Sequence, residues 1–311
     1  MKFIYAIICH EVTNPLLYTV KTLSACESNL IIIHVDKKSN IEDFYFLKSV
    51  NVLLFEERID IVWGTFSQIE VTHKLLKFSQ HFDFDYFFLL SGNDIPLTGQ
   101  KEFHKFISIN AGCEFFEFQG DRDNYVNPLD RVRFRYPCWY FKRNKNFADK
   151  VLSKLYKYSR FLFYRNNSFN IHSKKFPQLY KGSNWFGISN KAVQYTIDFI
   201  DGNPWYYKAF IHSYCCDEVF FHSIIKTWPE VIFFDSDEVK SSSLKYTDWT
   251  SGPDFPRVLT IDDADKVINS GCFFARKISN SITDDNIQLF QKENTDIGGK
   301  NDFTKQHLQK N

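Results

Sequence analysis

Short, uniformly apolar runs separated by polar turns organise the first half of the chain: Phe3 to Cys9, Leu30 to Val35, Val52 to Phe55 and Tyr86 to Leu90. They lack the alternation of a half-buried strand, so they predict strands covered on both faces by crossover helices. Asn14 and Pro15 open a helix reaching about Cys26, and Ser67 to about His81 offers Ile69, Leu75, Leu76 and Phe78 as a core face. After Cys113 the pattern is less regular. It predicts a strand at Glu114 to Phe118, helices over Phe147 to Phe163, Asn190 to Ile200 and Asp217 to near Trp228, and a late strand at Val231 to Phe234. Residues 166–181 read as a long loop. Beyond Ile278 the chain turns polar and reads as a tail.

Composition narrows the class. With 44% hydrophobic and 24% charged residues the chain is globular, and its 38 basic and 37 acidic side chains leave no global field for nucleic acid. An anionic ligand must therefore be held by a local cluster. Seven scattered cysteines without C-x-x-C spacing predict reduced, buried thiols, and the apolar start is too short to span a bilayer. A cytoplasmic protein is expected.

Strand ends are where open α/β sheets place their ligands. His34, Val35, Asp36 ends one strand and Ser91, Gly92, Asn93, Asp94 another. Asp36 suits either a hydrogen bond to a nucleoside or an ordinary turn. Asp-x-Asp strings at Asp83 to Asp85, Asp121 to Asp123 and Asp235 to Asp237 are weak metal signals, because the first precedes its strand and acids are common throughout. The histidines have no zinc spacing, and neither a G-x-S-x-G elbow nor a phosphate-binding G-x-x-x-x-G-K loop occurs. Arg257, Arg276 and Lys277 are the fixed cations available to a leaving diphosphate, or else a solvated basic surface. Glu218, in the first turn of its helix, suits a general base, or it completes a turn capped by Asp217.

In order along the chain, IICHEVTNP, IIIHVDKKS, VWGTFSQIEVTHKLL, YFFLLSGNDIPL, KGSNWFGIS, CCDEVFFHSII, YTDWTSGPDFPRVLT and GCFFARKI span residues 3 to 278. This set resembles the core-2/I-branching glycosyltransferases, family 14, which include the peptide O-xylosyltransferases. The resemblance implies an α/β, GT-A-like fold with a mixed central sheet flanked by helices. It also implies inverting, metal-independent transfer from a UDP-sugar, with GlcNAc or xylose expected, to a glycan or glycolipid acceptor. No cofactor is expected, since the UDP-sugar is a substrate.

By the same resemblance the base falls on Glu218, the diphosphate ligands on Arg257 and Lys277 with Arg276 beside them, and the uridine site on Asp36, with His10 on the nucleotide side. Asp94, Ser183, Trp185 and Asp217 are expected to line the sugar pocket, and Arg131, Arg133 and Trp139 to face the acceptor. Residues 1–278 are expected as one domain, with a nucleotide-binding half (1–119) and an acceptor and catalytic half (120–278), followed by a tail at 279–311. The chain lacks the disulfide framework of animal members, which points to a bacterial type acting on surface polysaccharide or lipooligosaccharide. Peripheral contact with the inner face of the membrane is left open. The alternatives are a glycan-binding protein without catalysis on this fold and a metal-dependent GT-A transferase.

Overall fold

The computed structural model describes residues 1–120, 125–142, 144–252 and 256–291. Its first half alternates strand and helix through β1 (Phe3–Cys9), α1 (Asn14–Ser24), β2 (Asn29–Val35), β3 (Val52–Leu54), α2 (Ser67–Ser79) and β4 (Tyr86–Ser91). Next come β5 (Ile95–Pro96), α3 (Gln100–Ile109), β6 (Cys113–Glu114), α4 (Pro128–Val132), α5 (Phe147–Phe163) and α6 (Asn167–His172). The second half continues with β7 (Gly187–Ser189), α7 (Asn190–Gly202), α8 (Pro204–Phe210), α9 (Asp217–Ile225), β8 (Ile232–Phe233), β9 (Lys245–Thr247), α10 (Ala264–Ile268), β10 (Phe274–Arg276) and α11 (Asp284–Ile287).

The main sheet runs β3-β2-β1-β4-β7, parallel except for the antiparallel edge strand β7. Both faces are buried, which is why its strands read as continuous apolar runs. Ile4, Ala6, Ile32, Phe87 and Leu89 face a core shared with α2, α7 and α9, whereas Phe3, Tyr5, Ile7, Ile31, Ile33 and Phe88 face a second core that includes residues of α1 and α3. This is the mixed sheet flanked by helices expected of a GT-A-like fold.

A smaller sheet, β5-β10-β9, sits beyond the end of β4 and carries several candidate residues. The turn joining it to β4 is held from α1, where Thr13 Oγ1 donates to Gly92 O at 2.7 Å and Thr19 Oγ1 to Asp94 O at 2.6 Å. Gly92 also lets β1 and β4 close up, since a Cβ there would lie 2.7 Å from that of Cys9.

Several expectations change. The strand at Glu114 to Phe118 shortens to β6, and Phe115 and Phe118 continue it only as isolated bridges to Gly187 and Gly182. The expected loop at 166–181 contains α6, fixed by Asn166, whose amide donates to Val132 O at 2.7 Å and Ala209 O at 2.6 Å. Residues 279–291 pack onto the small sheet, burying Ile282, Ile287 and Phe290 in a core with Tyr246 and Ala275. The folded unit therefore extends past 278, and the rest of the expected tail lies outside the described residues. All seven cysteines are free thiols, and of those expected to be buried Cys138 is exposed and Cys26 and Cys113 are only half-buried. No helix among the described residues is long and apolar enough to cross a membrane.

Candidate active site

The register of the small sheet brings two cations onto one carboxylate. Phe274 pairs with Lys245, and Arg276 lies two residues further along β10, so Lys245 and Arg276 project from the same face. Both reach Asp94, which directly precedes β5. Lys245 Nζ is ion-paired with Asp94 Oδ2, and Arg276 Nη1 lies 3.1 Å from Oδ1 and also donates to Ser91 Oγ. Ser91 donates to the same carboxylate through its amide at 3.0 Å and its hydroxyl at 2.5 Å.

Burial by itself would raise the Asp94 carboxyl, but Lys245 and Arg276 outweigh it and hold the group below the usual range. Burial pulls the Lys245 ammonium down to about 8 despite Asp94. Trp185 forms the floor, with Lys245 Nζ 4.7 Å and Arg276 Cζ 4.4 Å from its ring. Two cations against one carboxylate leave this cluster with a positive charge in excess. Asp94 is completely buried, which corrects its expected place in the sugar pocket: its oxygens are taken up by the cations and Ser91, so it positions them instead.

Arg257 lies alongside. Leu259 N donates to Lys277 O at 2.7 Å, drawing the segment after Arg257 against the end of β10. Arg257 Nη1 is 3.0 Å from Asp263 Oδ1, 3.8 Å from Asp248 Oδ2 and 3.2 Å from Ser251 Oγ, contacts that fix the guanidinium from one corner. Asp248 is itself anchored by the amides of Thr250 at 2.9 Å and Ser251 at 3.0 Å and by Lys266 at 3.0 Å.

Trp185 also meets the start of α9, lining a cavity together with Asp217. Cys216 is the N-cap and no side chain caps the helix, so the capping role weighed for Asp217 is not what the structure uses. Cys215 before it adopts φ +43°, a conformation that costs a non-glycine residue about 1–2 kcal/mol and that concentrates at functional sites. Glu218 Oε2 meets Lys181 Nζ at 3.1 Å and Arg131 Nη2 at 3.3 Å. Gly182 N donates to Glu218 O at 2.9 Å, and a Cβ on Gly182 would lie 1.8 Å from Glu117 O, so only glycine permits this approach. Ser183, next along, is half-buried and donates its amide to Glu117 O at 3.1 Å.

Asp217 is buried beside a cavity of about 40 Å³ lined by Gln68, Thr72, Asn184 and Trp185, and its Oδ1 has no hydrogen-bond partner. Burial, and next the Glu218 charge, push its carboxyl up to about 7. The sign follows from proton binding: a carboxyl raised above its unfolded value of about 4 stabilises the fold fully in acid and loses that contribution as pH rises through 7. Between roughly pH 4 and pH 7.5, the unfolding free energy of Asp217→Asn should gain on wild type by an amount on the order of a few kcal/mol. Urea unfolding of both proteins at the two pH values measures this, and parallel profiles would contradict the assignment.

The remaining candidates are dispersed. Asp36 is buried, and its oxygens accept from Lys38 N at 2.9 Å and Ile61 N at 3.3 Å, so it pins the loops after β2 and β3 instead of standing open to a nucleoside. His10 is exposed and lines an open groove of about 620 Å³ with Glu11, Ser39, Asn40 and Phe46. Arg133 pairs with Asp130 at 3.0 Å and lies over Phe134, away from the contacts of Glu218. Trp139 packs in an aromatic cluster with Tyr136, Tyr156 and Tyr214, and Arg131 joins it to Glu218, its guanidinium carbon 5.0 Å from the Tyr214 ring centre. Lys2 ties Asp83 and Asp85 to the opposite end of β4, Asp235 and Asp237 are exposed, and Asp121 to Asp123 lie outside the described residues. Among the described residues no group of three or more His, Cys, Asp or Glu is arranged to hold a metal ion. Sequence reading missed Lys245 and Lys181. Lys181 opens a matched stretch, whereas nothing in the local pattern marks Lys245.

The model of one protein family, described as Branch: Core-2/I-Branching enzyme, matches residues 3–267. Xylosyltransferase sqv-6 of Caenorhabditis elegans is 22% identical over 293 residues, covering 84% of this chain and 32% of that protein. The chain thus spans about a third of the length of that curated relative. Among solved structures, S. aureus TarS 1-349 aligns over 46% of this chain and 43% of that chain, at 13% identity and a TM-score of 0.28. A cytidylyltransferase from Leptospira borgpetersenii aligns over 68% and 97%, at 14% identity and a TM-score of 0.26. Similarity at that level carries no argument about function.

Proposed function

Because the chain belongs to the Core-2/I-Branching enzyme family of glycosyltransferases, we propose that it performs an inverting, metal-independent transfer from a UDP-sugar to a hydroxyl of a glycan acceptor. The observation that carries this reading is that Trp185 touches both parts of the site: it lines a cavity with Asp217 at the start of the helix that holds Glu218, and its ring lies under Lys245 and Arg276 of the small sheet. Glu218 Oε1, the oxygen not used by Lys181 and Arg131, takes the proton of the acceptor hydroxyl. The acceptor oxygen then bonds to the anomeric carbon as the bond to the phosphate oxygen breaks, and UDP departs with the electron pair. Arg257, Lys277 and Arg276 receive the charge that develops on the diphosphate, the service a bound metal gives in other transferases.

On this reading the nucleoside lies in the groove at His10, with Asp36 shaping its wall through the loops it pins. The sugar rests near Trp185, Ser183 and Asp217, and Arg131 and the cluster around Trp139 flank the acceptor. GlcNAc and xylose are the donor sugars to test, with xylose first because the relative is named a xylosyltransferase. A surface glycan or glycolipid is the acceptor class to test.

A panel of UDP-sugars with a chelator present separates the readings. The correct donor at about a hundred times its dissociation constant stabilises the fold by about 2.7 kcal/mol. Stabilisation and turnover should survive EDTA. Stabilisation by glycans but not UDP-sugars would favour a glycan-binding protein, and activity lost to EDTA and restored by manganese would refute the metal-free mechanism.

A further inference from the structure

Helix α5 turns a large apolar surface to solvent. Phe147, Val151, Leu155, Tyr158 and Leu162, spaced by three or four residues, are 82%, 42%, 58%, 76% and 78% exposed and form one stripe along the helix. Lys150, Lys154 and Lys157, also exposed, make a parallel ridge beside it. The inward side is different in kind, with Tyr156 and Asp149 buried. Exposed stripes of this size mark an interaction surface rather than chance exposure.

Charge identifies the partner. Between Lys142 and Lys181 the chain carries eleven Lys and Arg against one acid, Asp149, while its formal net charge is only +1; Lys142, Arg160 and Lys181 are ion-paired with Asp149, Asp130 and Glu218, and the lysines of the ridge, Lys150, Lys154 and Lys157, are exposed. A 17-residue helix with an aromatic and aliphatic face bordered by lysines is built to lie in a bilayer interface, its rings among the acyl chains and its lysines at anionic headgroups. We propose that α5 docks the protein on an anionic lipid surface.

The buried side of the same helix leads toward Glu218. Tyr156 packs 5.4 Å from Tyr136, Tyr136 packs 5.3 Å from Tyr214, and Arg131 spans from Tyr214 to Glu218. Docking therefore sets the Glu218 side of the fold near the bilayer, where an acceptor hydroxyl on a lipid-linked glycan would meet it. That consequence rests on the transferase reading; the docking does not.

The test is co-sedimentation of the full chain with vesicles of phosphatidylcholine alone and of phosphatidylcholine mixed with phosphatidylglycerol. Binding is expected to the mixed vesicles, to fall with salt, and to weaken about a hundredfold when Lys150, Lys154 and Lys157 are changed together to Gln. Leu155→Trp should show blue-shifted fluorescence on the mixed vesicles. Both sets of changes are on the exposed surface, so thermal unfolding and UDP binding should match wild type and report separately on the active site. Equal binding to both vesicles, no binding to either, or a chain that self-associates through α5 and leaves vesicles unbound would each overturn the proposal.

Discussion

Glu218→Gln is expected to lower turnover by roughly 10²- to 10⁴-fold while leaving the fold and UDP binding in place. The amide keeps the shape of the side chain but cannot take the acceptor proton. Its ion pairs with Lys181 and Arg131 are largely buried, at 25% exposure for Glu218 against 16% and 14%, and the amide oxygen still accepts from both cations, so the lost charge should cost stability on the order of 1–3 kcal/mol. The loss should fall on kcat, with KM for the donor little changed, because the proton is transferred in the reacting complex and not on binding. Steady-state kinetics with the identified donor and acceptor measure the split. Turnover within a few-fold of wild type would remove Glu218 from the role of base, and a rise confined to the donor KM would assign it to binding.

The largest stability effect is expected at Asp94. Changing it to Ala leaves Lys245 and Arg276 facing one another above Trp185 without their shared carboxylate, and removing one partner of a buried pair typically costs about 3–5 kcal/mol. Asp94→Ala combined with Lys245→Met should recover much of that loss, since the second change removes the more deeply buried stranded charge. Denaturant unfolding of the two single variants and the double variant completes the cycle. A loss below about 1 kcal/mol for Asp94→Ala would mean that the cluster does not anchor the fold.

The difference between those two residues also explains how much could be read from sequence. Strands β1, β2 and β4 and helices α1, α2 and α5 were legible because burial on two faces, or a sustained helical period, leaves a signature many residues long. Strands β7, β9 and β10 have three residues each, too few for a period to emerge, and their pairing depends on partners far away in sequence. Lys245 was missed for that reason: it is the register opposite Phe274 that makes it a partner of Asp94.

Asp36 and Asp94 were read correctly as residues at strand ends. Whether such a carboxylate faces a ligand or is consumed by amides and cations is decided by the loops that fold over it, which local sequence does not specify. Glu218 was legible through its ordered motif, whereas the pairing of Lys181 and Arg131 with it depends on how distant segments fold together.

The most direct test is the structure of the protein with UDP in the presence of a chelator. Diphosphate oxygens are expected within hydrogen-bond reach of Arg257 and Lys277, with the uracil in the groove beside His10. Phosphates lying away from both side chains, or UDP that binds only once a divalent cation is restored, would contradict the metal-free mechanism.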